Sequence, residues 1–366
     1  MDKDSRKTHS PMFRIAKRDS SDMTWYFPFL VRAVAILAAL AVSAIVIMLL
    51  ADKNPIAVYE SMFKGVFGTS RRVWNTLQNT AVLLCISLAV TPAFKMRFWN
   101  CGAEGQVLIG GLATIAVMMF LGDKMPLPLL ILVMIAASVA AGMIWALIPA
   151  VFKANWNTNE TLFTLMMNYV AIQFVAYFLK VFAKDGSGVL KPLPEYGIPV
   201  IGKYPFLLNI IVVAVVTAVV YIYLKYSKHG YEISVVGESE NTAKYIGINV
   251  KKVVIRTLMV SGAICGLAGL ILVGGTDHTI STTTVGGQGF TAIMVSWLGK
   301  FNPGYMVLTS FLIVFLERGA GQVSTDFRIP SSISEIVTGI ILLFIIGCEF
   351  FLRYKLVTTK KKKEEN

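Results

Sequence analysis

Ten apolar runs dominate the sequence and limit what the chain can fold into. They occupy residues 31–51, 77–94, 107–121, 127–152, 162–182, 206–224, 253–273, 290–298, 305–316 and 333–352. A helix needs about 20 apolar residues to cross a bilayer, and most of these runs approach that length. With 55% hydrophobic residues and 15% charged residues, the chain has little material left for a water-soluble domain. The sequence therefore predicts an all-α polytopic membrane protein with about ten transmembrane helices.

Lysine and arginine are distributed unevenly between the segments that connect the runs. With the N-terminus inside, the inner segments hold 21 of the 34 basic residues and the outer segments hold 10. Because cytoplasmic segments are enriched in these residues, both termini are predicted to be cytoplasmic. The net charge of +13 is interpreted as this topology signal and not as nucleic-acid binding. The expected regions are a cytoplasmic tail over 1–30, a transmembrane domain over 31–352 with its largest inner loop at 225–252, and a basic cytoplasmic tail over 353–366.

Glycine-containing breaks occur at matching places in the two halves of the run order. Residues 100–106 (NCGAEGQ) follow the second run, and residues 286–289 (GGQG) follow the seventh. Such pairs point to discontinuous helices around a central pathway, so we expect two five-helix halves with Gly-interrupted helices. Irregular backbone is tolerated at membrane depth only where protein buries it or water lines it. Both breaks are therefore candidate pathway walls.

Polar side chains within or beside the runs each require a partner or a cavity. Glu104 lies between Gly102 and Gly105, and we expect it to hydrogen-bond exposed backbone N–H groups of the break, with direct solute contact as the alternative. Amide and carboxyl groups could hydrogen-bond a solute, and aromatic rings could stack on it. The candidate pathway residues are Asn79, Asn100, Glu104, Gln106, Asn159, Glu160, Phe163, Asn168, Tyr169 and Gln288.

Two of the carboxylates have the spacing of a capping box, in which a side chain at the third helical position bonds back to the cap. Ser332 with Glu335 favours a cap over a ligand role for Glu335. Asn157 with Glu160 leaves the two readings open, because Asn168 lies two turns further along the same helix face and would extend a polar strip.

Motifs for catalysis and metal binding are missing from the sequence. It contains no GxxxxGK[ST], HExxH or GxSxG, so ATP would have to be held by another chain. The four cysteines lie far apart and without CxxC spacing, which favours buried free thiols over disulfides or a zinc site. Gly262 and Gly266 have the small-xxx-small spacing of closely packed helices. The adjacent pair Asp277 and His278 could bind a metal but occurs commonly by chance, and no role is assigned to it.

The inner loop 225–252 contains helix-compatible stretches separated by glycines, and its apolar residues are either packed within the loop or covered by a partner protein. This loop, the break at 100–106, the stretch 157–169 and the stretch 287–303 together resemble the permease subunits of bacterial ABC importers of the branched-chain amino acid, ribose and simple-sugar type. The chain looks most like the subgroup that imports nucleosides with a basic-membrane-protein lipoprotein. The resemblance covers about residues 77–352. Cys101 and Lys244 depart from the residues usual in the family.

The resemblance implies a type II-like permease in the bacterial cytoplasmic membrane, with no enzymatic activity and no cofactor of its own. It implies three partners: an ATP-binding subunit that holds ATP and Mg, a second permease subunit or a second copy of this chain, and an extracytoplasmic solute-binding lipoprotein. The expected solute is a nucleoside, with a simple sugar such as ribose as the alternative. The loop would couple to the ATPase through Val236, Gly237, Glu238, Ala243, Lys244, Gly247 and Ile248.

Two other classes of membrane protein compete with this interpretation. An ion-coupled secondary transporter more often has ionisable residues in the middle of its spans, whereas the carboxylates here cluster at span ends and breaks. A membrane-embedded enzyme needs a catalytic cluster such as paired Asp residues at one membrane face, and the sequence shows none.

Overall fold

The computed structural model describes residues 13–17, 26–51, 53–183, 190–202 and 204–358. The helices in these ranges are α1 (Phe27–Ala51), α2 (Pro55–Phe67), α3 (Ser70–Lys95), α4 (Ala103–Leu121), α5 (Leu127–Trp156), α6 (Glu160–Phe182), α7 (Leu207–Tyr226), α8 (Lys228–Glu238), α9 (Glu240–Tyr245), α10 (Val250–Leu272), α11 (Gln288–Leu298), α12 (Pro303–Phe327) and α13 (Ser331–Arg353). Short 3₁₀ turns span Gly122–Lys124 and Pro194–Tyr196, and a π-helical turn, Val273–Asp277, extends α10.

The predicted all-α fold is confirmed for the membrane-spanning part of the described chain, and a short pair of strands is added in the tails. Strands β1 (Phe13–Lys17) and β2 (Tyr354–Thr358) pair antiparallel, with Phe13 opposite Thr358 and Lys17 opposite Tyr354. Both strands come from the predicted tails, in which no run of apolar residues is long enough for a spanning helix. The remaining parts of those tails, 1–12, 18–25 and 359–366, lie outside the described residues.

Eight helical stretches of the described chain are long and apolar enough to cross a membrane. They are Ser70–Lys95, Ala103–Lys124, Leu127–Trp156, Glu160–Phe182, Leu207–Tyr226, Val250–Asp277, Pro303–Phe327 and Glu335–Leu352. In α1 the apolar stretch Ala33–Leu49 is shorter. The predicted run 290–298 lies in α11, whose 11 residues cover only about 16 Å. The prediction of about ten spanning helices is therefore confirmed for about eight.

Two compact units divide the chain differently from the predicted halves. Unit 1 combines Met1–Gly65 with Leu316–Asn366, and unit 2 is Val66–Phe315. In unit 1, α1 packs against α13, and the Ser61 hydroxyl donates a hydrogen bond of 2.6 Å to the Asp326 carboxylate. The arrangement as two five-helix halves stays a prediction.

Glycines allow the central helices of unit 2 to pack at backbone distance. A Cβ atom on Gly110 would lie 2.6 Å from the Cα of Gly266, and one on Gly142 would overlap the carbonyl oxygen of Gly262. On the next turn, Gly266 lies against the carbonyl oxygen of Ser138. The close packing predicted for Gly262 and Gly266 is confirmed, and it joins α4, α5 and α10 into one rigid core.

Unit 2 has two ends, because its long helices alternate in direction. We call one the basic end, where α3, α5 and α7 finish and where α6 and α10 begin. The other, called the opposite end, holds the starts of α3, α5 and α7 and the finishes of α4, α6 and α10. Lysines mark the basic end at Lys95, Lys153, Lys225 and Lys251.

The sequence left a capping box at Asn157 and Glu160 as one of two readings, and the structure excludes it. Asn157 terminates α5 with φ +51°, a left-handed conformation that Asn tolerates better than most residues. The cap of α6 is Asn159, whose side-chain oxygen accepts a hydrogen bond of 3.1 Å from the N–H of Leu162. Glu160 is therefore the first residue of the helix and lies two residues before the third helical position that a capping box requires.

The capping box predicted from Ser332 and Glu335 is also wrong. Helix α13 starts at Ser331 after Pro330, and no side chain caps it. Ser332 therefore lies inside the first turn, and Glu335 is exposed.

Candidate functional site

Glu104 joins the two glycine breaks of unit 2. One carboxylate oxygen accepts a hydrogen bond of 2.8 Å from the N–H of Gly287, and the other accepts one of 2.8 Å from the N–H of Gly289. Glu104 lies in the first turn of α4, and Gly287 caps α11 with φ +81°. The carboxylate thus lies at two helix N-termini, where a negative charge is favoured. The predicted bonding to backbone N–H groups occurs, but across to the second break instead of within the first.

The first break is closed by buried amide side chains. Asn100 accepts hydrogen bonds from the Gly102 N–H at 3.1 Å and from the Gln106 amide at 3.2 Å, and it donates to the Ser261 hydroxyl at 3.2 Å. Asn100 and Gln106 are almost fully buried. Their polar groups are satisfied within the chain, so they connect α4 to α10 and leave little capacity for a solute.

Asn168 completes the closure of the first break from α6. Its side-chain oxygen accepts a hydrogen bond of 2.8 Å from the N–H of Gly105, and its amide donates one of 2.8 Å to the carbonyl of Cys101. A Cβ atom on Gly105 would lie 2.9 Å from that Asn168 oxygen. Glycine is therefore needed at position 105 to let α4 approach α6.

Both breaks lie well away from the basic end of unit 2. Asn168 is eight residues into α6, and Ser261 is eleven residues into α10. At 1.5 Å per residue, their contacts place the first break about 12 to 16 Å from the starts of these helices. Because Glu104 binds both breaks, the second break lies at the same depth.

The chain reaches the second break through irregular backbone. This irregular stretch starts next to the segment 190–198, where the N–H of Leu193 donates a hydrogen bond of 2.8 Å to the carbonyl of His278. A Cβ atom on Gly111 would lie 3.7 Å from Ile280, and Gly287 meets Glu104. Since Glu104 and Gly111 are seven residues apart on α4, the chain descends about 10 Å between these contacts without forming a helix.

Helix α11 continues from the second break to the basic end. Its residue Trp297 stacks on Trp99 with ring centroids 5.8 Å apart and packs edge-on against Phe94 at 6.4 Å. Phe94 belongs to the last turn of α3, next to Lys95. Residues 278–298 therefore form one crossing of unit 2 whose first half is irregular and whose second half is α11.

The other predicted pathway residues do not gather in one place. Asn159, Phe163 and neighbouring apolar residues line an open groove of about 390 Å³ along α6. Glu160 makes an ion pair of 2.9 Å with Lys153 at the basic end, and Tyr169 is exposed. Asn79 is partly buried about 14 Å from the start of α3, without a hydrogen-bond partner among the described residues.

Gln288 begins α11 directly after the break and has a buried oxygen with no hydrogen-bond partner in the described part of the chain. It is the only one of the predicted residues with this feature within that part. A buried amide oxygen without a partner costs free energy unless water, a solute or another chain supplies a donor.

Helices α8 and α9 form the predicted coupling loop at the basic end, with a serine cap at the start of each helix. Val236 and Ala243 are buried within this chain, so they are not available to a partner's surface. Tyr245 and Ile246 are exposed instead, at 91% and 54%. The physical reason is that α8 packs against α3, α7 and α10, while α9 packs against α8 and α10.

Two contacts attach α8 to the spanning helices. Gly237 lies directly against the carbonyl oxygen of Lys95, where any side chain would collide. Glu232 forms an ion pair of 2.6 Å with Arg256 of α10. The hydrogen bond from Arg256 lowers the pKa of Glu232 from its ordinary value. Of the other predicted coupling residues, Glu238, Lys244 and Gly247 are exposed, and Ile248 is partly buried.

Sequence reasoning missed a polar cluster near the π-helical turn. The Gln78 amide donates a hydrogen bond of 2.7 Å to the Thr276 hydroxyl, and the Asn209 amide donates one of 3.1 Å to the carbonyl of Gly275. The remaining oxygens of Gln78 and Asn209 are buried without partners among the described residues. A polar residue within an apolar run was the available signal for Asn209, but the turn that pairs with it has no sequence signature.

No group of three or more His, Cys, Asp or Glu residues in the described chain could hold a metal ion. The predicted cysteines are free, with Cys85, Cys265 and Cys348 buried and Cys101 partly buried. The polar groups at the breaks are amides, hydroxyls and one carboxylate, which can hydrogen-bond a solute but carry no nucleophile activated by a base.

A bundle of apolar helices with two discontinuities joined at depth defines a membrane permease. The chain belongs to the family described as the permease component of the branched-chain amino acid transport system, whose model matches residues 72–346. It is a multi-pass membrane protein and the permease subunit of an ABC importer. Such subunits are not enzymes and have no cofactor, because a partner ATPase hydrolyses the ATP. The family implies partnership with that ATPase and with a binding protein.

Curated relatives match along most of the chain. The guanosine ABC transporter permease protein NupP of Bacillus subtilis is 30% identical over 347 residues, covering 91% of this chain and 97% of that protein. The glucose ABC transporter permease protein TsgB13 of Haloferax volcanii is 28% identical, with 87% of each chain covered. The nucleoside ABC transporter permease protein NupB of Lactococcus lactis subsp. cremoris is 27% identical over 91% of this chain and 94% of its own length. No solved structure matches the chain.

Proposed function

We propose that this importer carries nucleosides, and that this chain forms one wall of their path. Two of the relatives named above are permeases for guanosine or nucleosides, and the guanosine permease matches across nearly its full length. A nucleoside offers base edges and ribose hydroxyls, which suit the amide and hydroxyl groups near the breaks. The single observation that carries the choice of solute is the match to the guanosine permease, at 30% identity over 91% of this chain. The carboxylate of Glu104, which holds both breaks at mid-depth, supports the position of the path.

We place the basic end of unit 2 in the cytoplasm. Lysines lie at this end of α3, α5, α7 and α10, and cytoplasmic segments are enriched in such residues. The pairing of β1 with β2 supports placing the two tails on one side of the membrane. We therefore infer that α8 and α9 face the ATP-binding subunit and that both termini are cytoplasmic, with the tails and transmembrane domain divided near residues 30 and 353.

The coupling role follows from the contacts of α8. Closure of the ATPase would press on the exposed Tyr245 and Ile246 and shift α8 and α9. The contact of Gly237 with Lys95 would pass the shift to α3, and the ion pair of Glu232 with Arg256 would pass it to α10. Both helices reach the first break, so the shift would reach Glu104 and open or close the path. No covalent step is needed in this subunit.

A simple sugar is the second candidate solute, because the glucose permease of Haloferax volcanii is similar at 28% identity. The groove beside Asn159 and Phe163 offers one aromatic face and one amide, which suit a sugar as well as a nucleoside. We further propose a second permease subunit, or a second copy of this chain, as the other wall, and a solute-binding lipoprotein as the donor of the solute.

Reconstitution tests the proposal directly. This chain, its partner permease, ATPase and binding protein are placed in proteoliposomes, and uptake of labelled guanosine is measured with excess unlabelled guanosine, uridine, ribose or glucose. We expect ATP-dependent uptake that nucleosides block and sugars do not. Competition by ribose or glucose alone would move the assignment to sugars. The chain alone, under a proton or sodium gradient, should take up nothing, and uptake there would contradict the importer mechanism.

A further inference from the structure

The irregular half of the crossing before α11 carries an unusual number of hydroxyl groups. Residues 279–287 (TISTTTVGG), here called the hydroxyl segment, contain four threonines and one serine. The two apolar members point into the protein, since Ile280 and Val285 are buried. Thr283 and Gly286 are exposed. The segment therefore presents a polar surface on its outward side, at a depth where spanning helices are apolar.

Several donors of this segment have no partner among the residues that the structure describes. Thr284 accepts a hydrogen bond of 2.7 Å from the N–H of Ser281, and the Ser281 hydroxyl lies 3.2 Å from that of Thr283. The backbone N–H groups of Thr282 and Gly286, in contrast, have no hydrogen-bond partner among the described residues. The hydroxyl of Thr282 also has none there. These groups are left available for something outside this chain.

Lipid cannot supply those partners. Backbone groups left unpaired in hydrocarbon cost several kcal/mol each, and irregular backbone occurs at membrane depth only against protein or water. The bonds from Gly287 and Gly289 to Glu104 fix the lower end of the segment at the level of the first break. The polar side must therefore line an aqueous path or contact another protein.

We propose that the hydroxyl segment is a solute-contacting surface that hydrogen-bonds a polyhydroxylated group. This group is the ribose of a nucleoside, an assignment that rests on the proposed function. The donors of Thr282 and Gly286 that have no partner among the described residues, with the exposed hydroxyl of Thr283 beside them, match the vicinal hydroxyls of a pentose, which both donate and accept. The buried oxygen of Gln288, at the end of the same segment, can accept from a further hydroxyl.

Cysteine labelling in the assembled transporter tests this surface. Thr283→Cys and, separately, Thr282→Cys are made in the full chain with Cys101 replaced by Ser, because the other native cysteines are buried. A water-soluble, positively charged methanethiosulfonate is added during turnover, with and without saturating guanosine. We expect modification to inhibit uptake and guanosine to slow modification at least threefold. The control, Thr217→Cys on α7, whose native hydroxyl bonds its own helix at Val213, should show no protection.

A second measurement separates solute contact from a purely structural role. Thr282→Val keeps the shape and removes one hydroxyl, so we expect the KM for guanosine to rise about three- to tenfold, the usual loss for one hydrogen bond. The ATPase rate at saturating guanosine should be unchanged, and Thr217→Val should leave the KM unchanged. A KM that stays constant for Thr282→Val would overturn the proposal.

The outcomes distinguish this inference from the proposed function. If wild type imports guanosine but guanosine does not protect either cysteine, the surface is not in the solute path. Cysteines that never react show that another protein covers the segment, which also overturns the inference. If the transporter imports ribose or glucose instead, the proposed solute is wrong, and protection of the same cysteines by that sugar would still support the surface.

Discussion

The two glycine breaks share one carboxylate and one depth, yet their polar groups are satisfied in opposite ways. At the first break, Asn100 and Asn168 bond the exposed backbone groups from within the chain, and Gln106 bonds the Asn100 side chain. In the hydroxyl segment that leads into the second break, the N–H groups of Thr282 and Gly286 have no partner in the described residues. Similar glycine spacing thus produces a closed joint in one case and an open surface in the other.

The difference shows what a buried amide does at membrane depth. A side chain that supplies both a donor and an acceptor can close a break in one step, as Asn168 does with Gly105 and Cys101. The hydroxyl segment before the second break has hydroxyls in place of such amides, and several of these bond one another. A surface of this kind stays available for an exchangeable partner.

The largest expected effect comes from removing the charge that connects the breaks. In Glu104→Gln, an NH₂ group would face one of the two backbone N–H donors, so one bond is lost and two donors oppose each other. We expect a cost of about 2 kcal/mol, equivalent to roughly a thirtyfold loss of the joined arrangement, with a matching fall in uptake. Guanosine uptake by reconstituted transporter measures it.

Glu335→Gln is the matched control, because Glu335 is exposed and makes no capping bond. It should change uptake by less than about twofold, as expected for an exposed surface residue. Equal uptake by Glu104→Gln and wild type would show that the breaks are held together by something other than this carboxylate.

The next effect tests the closed break alone. Asn168→Leu leaves the Gly105 N–H and the Cys101 carbonyl buried without partners, so we expect a stability loss of about 2 kcal/mol. Thermal unfolding in detergent should show a lower midpoint. Asn159→Leu, which removes only an exposed cap, should cost about 1 kcal/mol. A smaller loss for Asn168→Leu than for Asn159→Leu would mean that the first break is not closed by protein.

A smaller effect comes from the glycine of the open break. Gly287 has φ +81° and nothing near its missing side chain, so Gly287→Ala introduces backbone strain of about 1 kcal/mol without a collision. Gly105→Ala, in contrast, brings a methyl group against Asn168 and should cost about 1 to 3 kcal/mol. The thermal unfolding midpoints of the two variants measure the difference. A larger loss for Gly287→Ala than for Gly105→Ala would contradict the assignment of closed and open breaks.

The smallest effect concerns the attachment of α8, which serves as a reference region away from both breaks. Arg256 lowers the pKa of Glu232 below its ordinary value of 4.5. The folded state therefore binds this proton more weakly than the unfolded state, so the stabilisation present above pH 4.5 is lost as the pH falls through the lowered pKa. The thermal unfolding midpoint of the wild type should decrease as the pH is lowered through that range, and the midpoint of Arg256→Gln should decrease less. Identical pH profiles would show that the ion pair does not stabilise the fold.

The sequence predicted the spans well because each is a long apolar run with charges at its ends. It also identified both breaks and the carboxylate of Glu104. It could not show that Glu104 bonds across to Gly287, because those residues are 183 positions apart. Rules based on short sequence spacing failed at single residues. Asn157 ends a helix where a capping box was one of two readings, and Val236 is buried where a docking surface was expected.

Amide hydrogen exchange of the assembled transporter in lipid nanodiscs, followed by mass spectrometry, tests the contrast between the breaks most directly. We predict that peptides covering 100–106 stay protected for hours, since the N–H groups of Asn100, Cys101, Gly102, Gly105 and Gln106 are bonded within the chain. Peptides covering 280–286 should exchange within minutes and become protected when guanosine is added during turnover. Equal protection of both peptides without solute would contradict an open second break.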